Sequence, residues 1–302
     1  MKAVVIHAYG APSVLKYEEV PDPLAAEGEV LVRVSASSVN PVDYKMRSGA
    51  AKERFPVEFP GILGRDVSGV VRSVGPGVAG FEPGDKVMAL TWKAYAELAV
   101  VKATDLVHVP EGLDLVEAAA LPLVTLTGQQ LIELGTKIAA GQTVLVAGAA
   151  GGVGRAAVRT AKQAGAIVIA GVRKSQLEQA DDLGADQVLA LDDEHAVARL
   201  GFVDAVADTV GHTTAEMLLG KVKQGGIFAS VLGPPSNATM HPTIQVVPVM
   251  AVPNAARLAD LAREVLAGRL KIPIDRMVAL EDAAEAHAAA EKGNIGKVLL
   301  LA

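Results

Sequence analysis

The sequence predicts an α/β protein in two parts, a doubly wound parallel sheet joined to a β-rich region, on three observations. Short β-branched runs separated by Gly and Pro occupy residues 1–117. From there to residue 265 the rhythm becomes strand, glycine turn, helix. A glycine-rich turn then sits between a short apolar run and a helical pattern, where open α/β sheets place a ligand.

The β-rich pieces are residues 3–7, 29–37, 69–74, 86–89, 95–101 and 106–109. Turn signals such as Gly75-Pro76-Gly77, Glu82-Pro83-Gly84-Asp85 and Pro110-Glu111-Gly112 separate them, as in a barrel or sandwich. In the second part, residues 143–147 form a continuous apolar run suited to a parallel strand buried on both faces. Residues 155–164 read as helix and 167–171 as the next strand. Residues 175–183 read as helix with Ser175 as N-cap. Further strands are expected over 188–190, 203–207, 227–231 and 243–247, and helices over 213–221 and 254–267. The tail from Leu270 holds an Ala-rich helix over 281–292 and a final strand over 296–300, closer in character to the first part. The acidic run Asp192-Asp193-Glu194 reads as a solvated loop.

Composition excludes several classes. With 51% hydrophobic residues a sizeable core is available, and with 3% aromatics it must be built from Ala, Val, Leu and Ile. A net charge of −6 argues against nucleic acid or an anionic membrane as the main partner. The chain has no cysteine, which removes disulfides, thiol catalysis and thiolate metal sites. His7, His108, His195, His212, His241 and His287 show no metal-ligand spacing and read as surface or satisfied core positions. No apolar run reaches the roughly 18 residues of a membrane span, and the start is broken by His7, Tyr9, Gly10 and Pro12. A soluble cytoplasmic protein is expected.

The chemistry-bearing motif is Gly148-Ala149-Ala150-Gly151-Gly152-Val153-Gly154, placed directly after Val144-Leu145-Val146-Ala147. Small residues allow a tight turn and let a pyrophosphate approach the helix N-terminus, whose N–H groups and dipole stabilise the anion. An NAD site places an acid about 20 residues further on. Here that stretch reads Gly171-Val172-Arg173-Lys174-Ser175, two cations and a hydroxyl with no acid. This favours NADPH, with Arg173 and Lys174 pairing with the 2′-phosphate. Gly211, Leu232 and Gly233 follow predicted strand ends, the same kind of position.

A longer set of motifs carries a resemblance. It includes Ser38-Val39-Asn40-Pro41-Val42-Asp43-Tyr44, then Arg47-Ser48-Gly49, and the run from Pro60 to Val71 containing Gly64-Arg65-Asp66-Val67-Ser68-Gly69. Val74-Gly75-Pro76-Gly77-Val78, Phe81-Glu82-Pro83-Gly84-Asp85-Lys86-Val87 and Leu121-Pro122-Leu123-Val124-Thr125-Leu126-Thr127 follow in order. Over essentially its whole length the chain resembles the medium-chain dehydrogenase/reductase superfamily, in its zinc-independent quinone oxidoreductase (ζ-crystallin-like) branch. The resemblance implies a GroES-like β-barrel domain (1–117, completed by 268–302), a Rossmann domain (118–267) and a cofactor cleft between them. Asn40 stands where zinc-dependent relatives carry a Cys, and Arg65-Asp66 where they carry His and an acid. The four-cysteine structural-zinc lobe is missing.

Without a Lewis acid, alcohol oxidation is disfavoured, whereas an acceptor that is already electrophilic needs only hydrogen bonds. The expectation is hydride transfer to a quinone or an α,β-unsaturated carbonyl. The resemblance places Asn40 and Tyr44 at the substrate end as donors and Thr127, in a loop before the first Rossmann helix, at the nicotinamide. Asp43 is read as a structural acceptor in a turn, and Arg65 as a partner of Asp66 or Glu58. Asn294 and Lys297 resemble the segment that closes over NADPH. A homodimer through the edge strand near residues 243–249 is also expected. Two alternatives stay open. One is an enoyl-thioester reductase, whose substrate phosphates would use a basic patch of Lys45, Arg47, Lys52 and Arg54. The other is an NADPH-binding structural or RNA-binding protein.

Overall fold

A computed structural model describes residues 1–293 and 296–302, and the chain divides into two units. Unit 1 comprises Met1–Leu123, Pro253–Ala267 and Ile272–Ala302; unit 2 comprises Val124–Val252 and Gly268–Lys271. In chain order the strands of the first stretch are β1 (Lys2–Ile6), β2 (Lys16–Glu19), β3 (Glu29–Val39), β4 (Gly61–Ile62), β5 (Asp66–Val74), β6 (Lys86–Leu90), β7 (Leu98–Lys102) and β8 (Leu106–His108). Helix α1 (Pro41–Ser48) interrupts them, and α2 (Pro122–Gln130) follows. Then come β9 (Thr143–Ala147), α3 (Gly152–Gln163), β10 (Ile167–Val172), β11 (Gln187–Ala190), α4 (Glu194–Arg199), β12 (Val203–Asp208), α5 (His212–Leu219), β13 (Val222–Ser230) and β14 (Gln245–Pro248). The chain ends with α6 (Ala255–Leu266), β15 (Ile274–Ala279), α7 (Ala283–Glu291) and β16 (Lys297–Leu301).

Unit 2 has the predicted doubly wound sheet. Its six strands run in the order β11-β10-β9-β12-β13-β14, with every neighbouring pair parallel. The order reverses between β9 and β12, so a crevice opens at their carboxyl ends, beyond Ala147 and Asp208. β9 is apolar on both faces because helices and loops cover both sides; Val144, Leu145, Val146 and Ala147 are all fully buried. β14, the expected edge strand, lies at one end of the sheet.

Unit 1 pairs its strands into a three-stranded sheet, β2-β1-β4, and a seven-stranded sheet running β15-β16-β3-β5-β6-β8 with β7 also on β3. The eleven-residue β3 organises it: its first half pairs with β7, its second half with β16, and its length with β5. Bulges between Leu31 and Val32 and between Val34 and Ala36 bend the strand between these partners. The returning tail therefore completes the N-terminal sheet through β16, which buries Val298, Leu299 and Leu300. The sequence reading carries residues 253–267 with the nucleotide fold. In the structure α6 packs on β8 and belongs to unit 1.

Several local expectations are corrected. Asn40-Pro41 opens a helix, not a turn: Pro41 takes the first helical position, Asp43 the third, and Gly49 closes the helix at φ 81°. Thr127 lies inside α2 rather than in a loop before it. Ser175 sits within a short 3₁₀ turn, Lys174–Gln176, and caps nothing; a second turn, Glu178–Leu183, replaces the expected helix. The acidic run is not merely solvated. Asp193 caps α4 by accepting the Ala196 N–H, and Asp192 accepts the Lys174 N–H. Among the described residues, no helix is long and apolar enough to cross a membrane.

Candidate active site

The glycine turn lies where β9 meets α3. Gly148 adopts φ +78°, and a Cβ there would lie 2.3 Å from Thr209 Oγ1. At Gly154 a Cβ would lie 2.1 Å from the Gly148 carbonyl oxygen, so the returning helix has no room for a side chain. The turn is braced from inside the protein. Gly148 and Ala149 both donate to the Gly171 carbonyl, Gly151 donates to Gly148, and buried Arg155 donates to the Ala150 carbonyl at 3.0 Å. The first N–H groups of α3, from Gly152, Val153 and Gly154, have no intrahelical acceptor, and no side chain caps them.

Asp208, to which the sequence assigns no role, organises the other side of the crevice. It is fully buried at the end of β12. Oδ1 accepts the N–H groups of Val210 and Gly211, and Oδ2 accepts Ser230 Oγ at 2.7 Å. Gly211 (φ 75°) abuts Leu232, whose N–H donates to Ser230 Oγ, so the turns after β12 and β13 are tied to one carboxylate. Gly233 follows at φ 98° with open space where a Cβ would stand. An acid at a strand end leading into Val-Gly was the available signal. Arg173, Lys174 and Ser175 are exposed just beyond β10, with Arg173 Nε on Gln176. The glycine turn, Arg173 to Ser175, Gly211, Leu232 and Gly233 thus share the carboxyl end of the unit 2 sheet.

In unit 1, sheet register assembles a buried polar cluster. Val39 opposes Val298 in the antiparallel pair, so the next residues, Asn40 and Lys297, face each other. Ser38 opposes Asp66 across β3 and β5. Lys297 Nζ donates to Asn40 Oδ1 at 2.7 Å and lies 3.3 Å from Asp66 Oδ2. Asn40 Nδ2 donates to Asp66 Oδ2 at 2.8 Å, Ser38 Oγ donates to the same oxygen at 2.5 Å, and the Leu123 N–H to Oδ1 at 2.6 Å. Both ends of the Asn40 amide are therefore held by the protein. Lys297, chosen for the cofactor, joins Asn40 in this cluster. Asn294 lies outside the described residues.

From this cluster a chain of buried groups runs on. The Asn40 N–H donates to Asp43 Oδ2 at 2.9 Å, and Tyr95 Oη donates to the same oxygen at 3.0 Å. His287 Nε2 is 3.2 Å from Tyr95 Oη, and its Nδ1 is 3.5 Å from Arg47 Nη1. A guanidinium only donates, so Nδ1 accepts, Nε2 carries the proton and donates to Tyr95, and the Tyr95 proton is directed to Asp43. Burial and the Arg47 charge hold His287 down to about 3, which keeps it neutral. Burial pushes the Asp43 carboxyl up to about 6, aided by the nearby Asp66 charge and opposed by the Asn40 N–H. Asp43 Oδ1 is buried with no hydrogen-bond partner.

Arg47 does not belong to an exposed basic patch. It is 2% exposed, donating to the Gly10 carbonyl at 3.1 Å and pairing with Glu291 at 2.6 Å. A buried cation needs those acceptors, and α7 supplies the carboxylate. Tyr44, on α1, is half-buried and its hydroxyl makes no hydrogen bond to a described residue. Burial, Glu291 and Asp43 raise its pKa, so it stays a neutral phenol. Thr127 is buried within unit 2. Arg65 pairs with neither Asp66 nor Glu58; its Nε donates to the Thr91 carbonyl at 2.8 Å and its guanidinium stacks on Trp92.

The residues present do not fit a catalytic zinc ion. Asn40 is engaged at both ends, Arg65 is a cation, and among the described residues no three His, Asp or Glu side chains converge as ligands.

Comparison with known proteins agrees with this architecture. Residues 26–111 match the alcohol dehydrogenase GroES-like domain and residues 183–300 the zinc-binding dehydrogenase family. The chain is 32% identical to the chloroplast envelope quinone oxidoreductase homolog of Arabidopsis thaliana, over 99% of this chain and 98% of that protein. It is 36% identical to the mitochondrial NAD(P)H oxidoreductase RTN4IP1 of Mus musculus, over 78% of this chain and 66% of the mouse protein. The Escherichia coli quinone oxidoreductase, solved in complex with NADPH, superposes with a TM-score of 0.88 at 27% identity, covering both chains completely. The shared two-part architecture, the two family matches and full-length identity above 30% lead to one conclusion: the chain is an NAD(P)H oxidoreductase belonging to the quinone oxidoreductase branch of the medium-chain dehydrogenase/reductase superfamily.

Proposed function

We propose that the protein is a zinc-free reductase that uses NADPH to reduce a quinone or an α,β-unsaturated carbonyl compound. The observation that carries this reading is the Gly148–Gly154 turn, closed to a side chain at Gly148 and Gly154 and opening on the first N–H groups of α3, with Arg173 and Lys174 beyond the next strand. Bound NADPH would supply the hydride. Gly152, Val153 and Gly154 would hold the pyrophosphate, and Arg173, Lys174 and Ser175 the 2′-phosphate. Gly211, Leu232 and Gly233 would border the dinucleotide, kept in place by Asp208. Thr127 would contact the nicotinamide, as the family resemblance implies. Asn40, locked by Asp66 and Lys297, gives the substrate end a fixed wall. Tyr44 offers a neutral phenol with no hydrogen bond to a described residue, suited to meet the oxygen that gains charge. The proton that completes reduction comes from Tyr44 or from water. The reading includes a homodimer and a cytoplasmic location.

Steady-state assays with NADPH against 1,4-quinones, 2-alkenals and enoyl-CoA thioesters test it. Turnover of the first two groups is expected, with no stoichiometric zinc in the purified protein. NADPH binding without turnover of any acceptor would refute the enzyme assignment, and preference for enoyl-CoA would transfer it to the thioester class.

A further inference from the structure

Among the described residues, Arg65 is the one buried cation near this cluster that has no ion-pair partner. Lys297 has Asp66, and Arg47 has Glu291. Arg65 is 5% exposed, and its only side-chain hydrogen bond to a described residue is from Nε to the Thr91 carbonyl. The carboxylates near enough to favour its charge bond other donors and not Arg65: Asp66 holds Lys297, Asn40, Ser38 and the Leu123 N–H, and Asp43 holds Asn40 and Tyr95 through Oδ2 and leaves Oδ1 without a partner. The two Nη groups make no hydrogen bond to a described residue, yet neither is among the sealed, unsatisfied side-chain atoms. Four N–H donors are therefore left at the accessible edge of a desolvated guanidinium.

That edge is held in place. Arg65 and Thr91 exchange backbone and side-chain bonds, with the Thr91 N–H on the Arg65 carbonyl at 2.7 Å, continuing the β5–β6 register. The guanidinium carbon lies 3.6 Å from the centroid of Trp92, which is 45% exposed, and Phe55 tilts against the same indole at 5.9 Å. A fork stacked on an aromatic plate loses little further entropy when it binds an oxygen pair.

We propose that Arg65 and Trp92 form the acceptor subsite, in which the Arg65 Nη edge binds a negatively charged oxygen of a planar, conjugated acceptor lying beside the Trp92 and Phe55 rings. This deepens the reductase reading by naming the chemistry of its substrate. The charged oxygen has two sources: a carboxylate the acceptor already carries, or the carbonyl oxygen that becomes an enolate or quinolate as hydride reaches carbon. Either would pair a buried cation that the fold leaves unpaired.

Trp92 is the single tryptophan of the chain, so intrinsic fluorescence reports on this subsite alone. The NADPH-loaded protein would be titrated with 2-naphthoate and with neutral 2-naphthamide, in the wild type, Arg65→Met and Arg65→Lys. Binding of 2-naphthoate should quench the wild type, with Kd raised about 10- to 100-fold in Arg65→Met and little change for the amide, as loss of a charge-assisted bond predicts. Arg65→Lys keeps the charge and serves if the Met variant does not fold; it should bind between the two. In parallel, kcat and KM would be measured with a neutral naphthoquinone and with its carboxylated analogue. A fall in kcat of about 100-fold or more for the neutral quinone assigns the forming oxyanion. A rise in KM confined to the carboxylated acceptor assigns the pre-existing carboxylate. Absence of quenching by 2-naphthoate in the wild type would overturn the subsite, as would Kd and kcat/KM values in Arg65→Met that match the wild type. Arg65-dependent naphthoate binding without quinone turnover would instead leave the subsite standing and remove the reductase reading.

Discussion

Tyr95→Phe removes one oxygen from the middle of a buried chain and keeps the ring that fills the core. The Tyr95 hydroxyl donates to Asp43 Oδ2 at 3.0 Å and accepts from His287 Nε2 at 3.2 Å. Asp43 then keeps the Asn40 N–H as its main donor, while Oδ1 is already without a partner. Burial has raised the Asp43 carboxyl from 3.8 to about 6, a difference that corresponds to about 3 kcal/mol. The sign follows from proton counts. Between pH 3.8 and about 6 the unfolded chain has released this proton and the folded chain retains it, so stability falls as pH rises and levels off above the folded value. A hydrogen bond to a charged group contributes about 1.5–3 kcal/mol, which favours the carboxylate. Its loss should move Asp43 upward by a further ~1–2 pH units and extend the falling region toward pH 8. His287, held at about 3, stays neutral and adds no slope there. Urea unfolding at pH 4 to 8 is the assay. The variant's deficit at pH 8 should exceed its deficit at pH 4 by about 1.5–3 kcal/mol, and Asp43→Asn should abolish that difference. A deficit independent of pH would refute the chain's direction from His287 to Asp43.

Three further outcomes are expected. Gly154→Ala, whose Cβ would lie 2.1 Å from the Gly148 oxygen, should lower stability by about 1–3 kcal/mol and weaken NADPH binding; thermal unfolding and a binding titration read both. Arg173→Ala with Lys174→Ala should raise KM for NADPH about tenfold or more and leave KM for NADH little changed, whereas equal effects would remove the 2′-phosphate assignment. Lys297→Met leaves fully buried Asp66 without its cation and should cost about 3–5 kcal/mol in urea unfolding at neutral pH, with part of the loss recovered by Lys297→Arg.

The strand, turn and helix around Gly148 were legible because each is a local pattern: an apolar run, residues without bulk, then a helix whose N-terminus follows at once. Helix α1 was not, although Asn40, Pro41 and Asp43 are a capping residue, a first-turn proline and a third-position acid. A short helix after Asn-Pro has the same local signals as a turn, and only Met46 and Arg47 packing inward separates them. Arg47 reads as surface charge beside Lys45, Lys52 and Arg54; its partners His287 and Glu291 lie more than 200 positions away. Sequence spacing carries no information about such a pair.

By itself the sequence determined the α/β class, the glycine turn and its basic follow-on, and the absence of thiolate ligands, since these depend on residue type within a few positions. Tertiary structure alone decided which polar residues meet. The register of β16 against β3 sets Lys297 opposite Asn40, and β5 against β3 brings Asp66 to both. A one-residue slip would turn those side chains to the other face. The physical reason is burial: removed from water, each polar group must find a partner that the fold brings from a distant part of the chain. The folded chain does this for Lys297, Asp66, Asn40 and Arg47, and leaves the edge of Arg65 open.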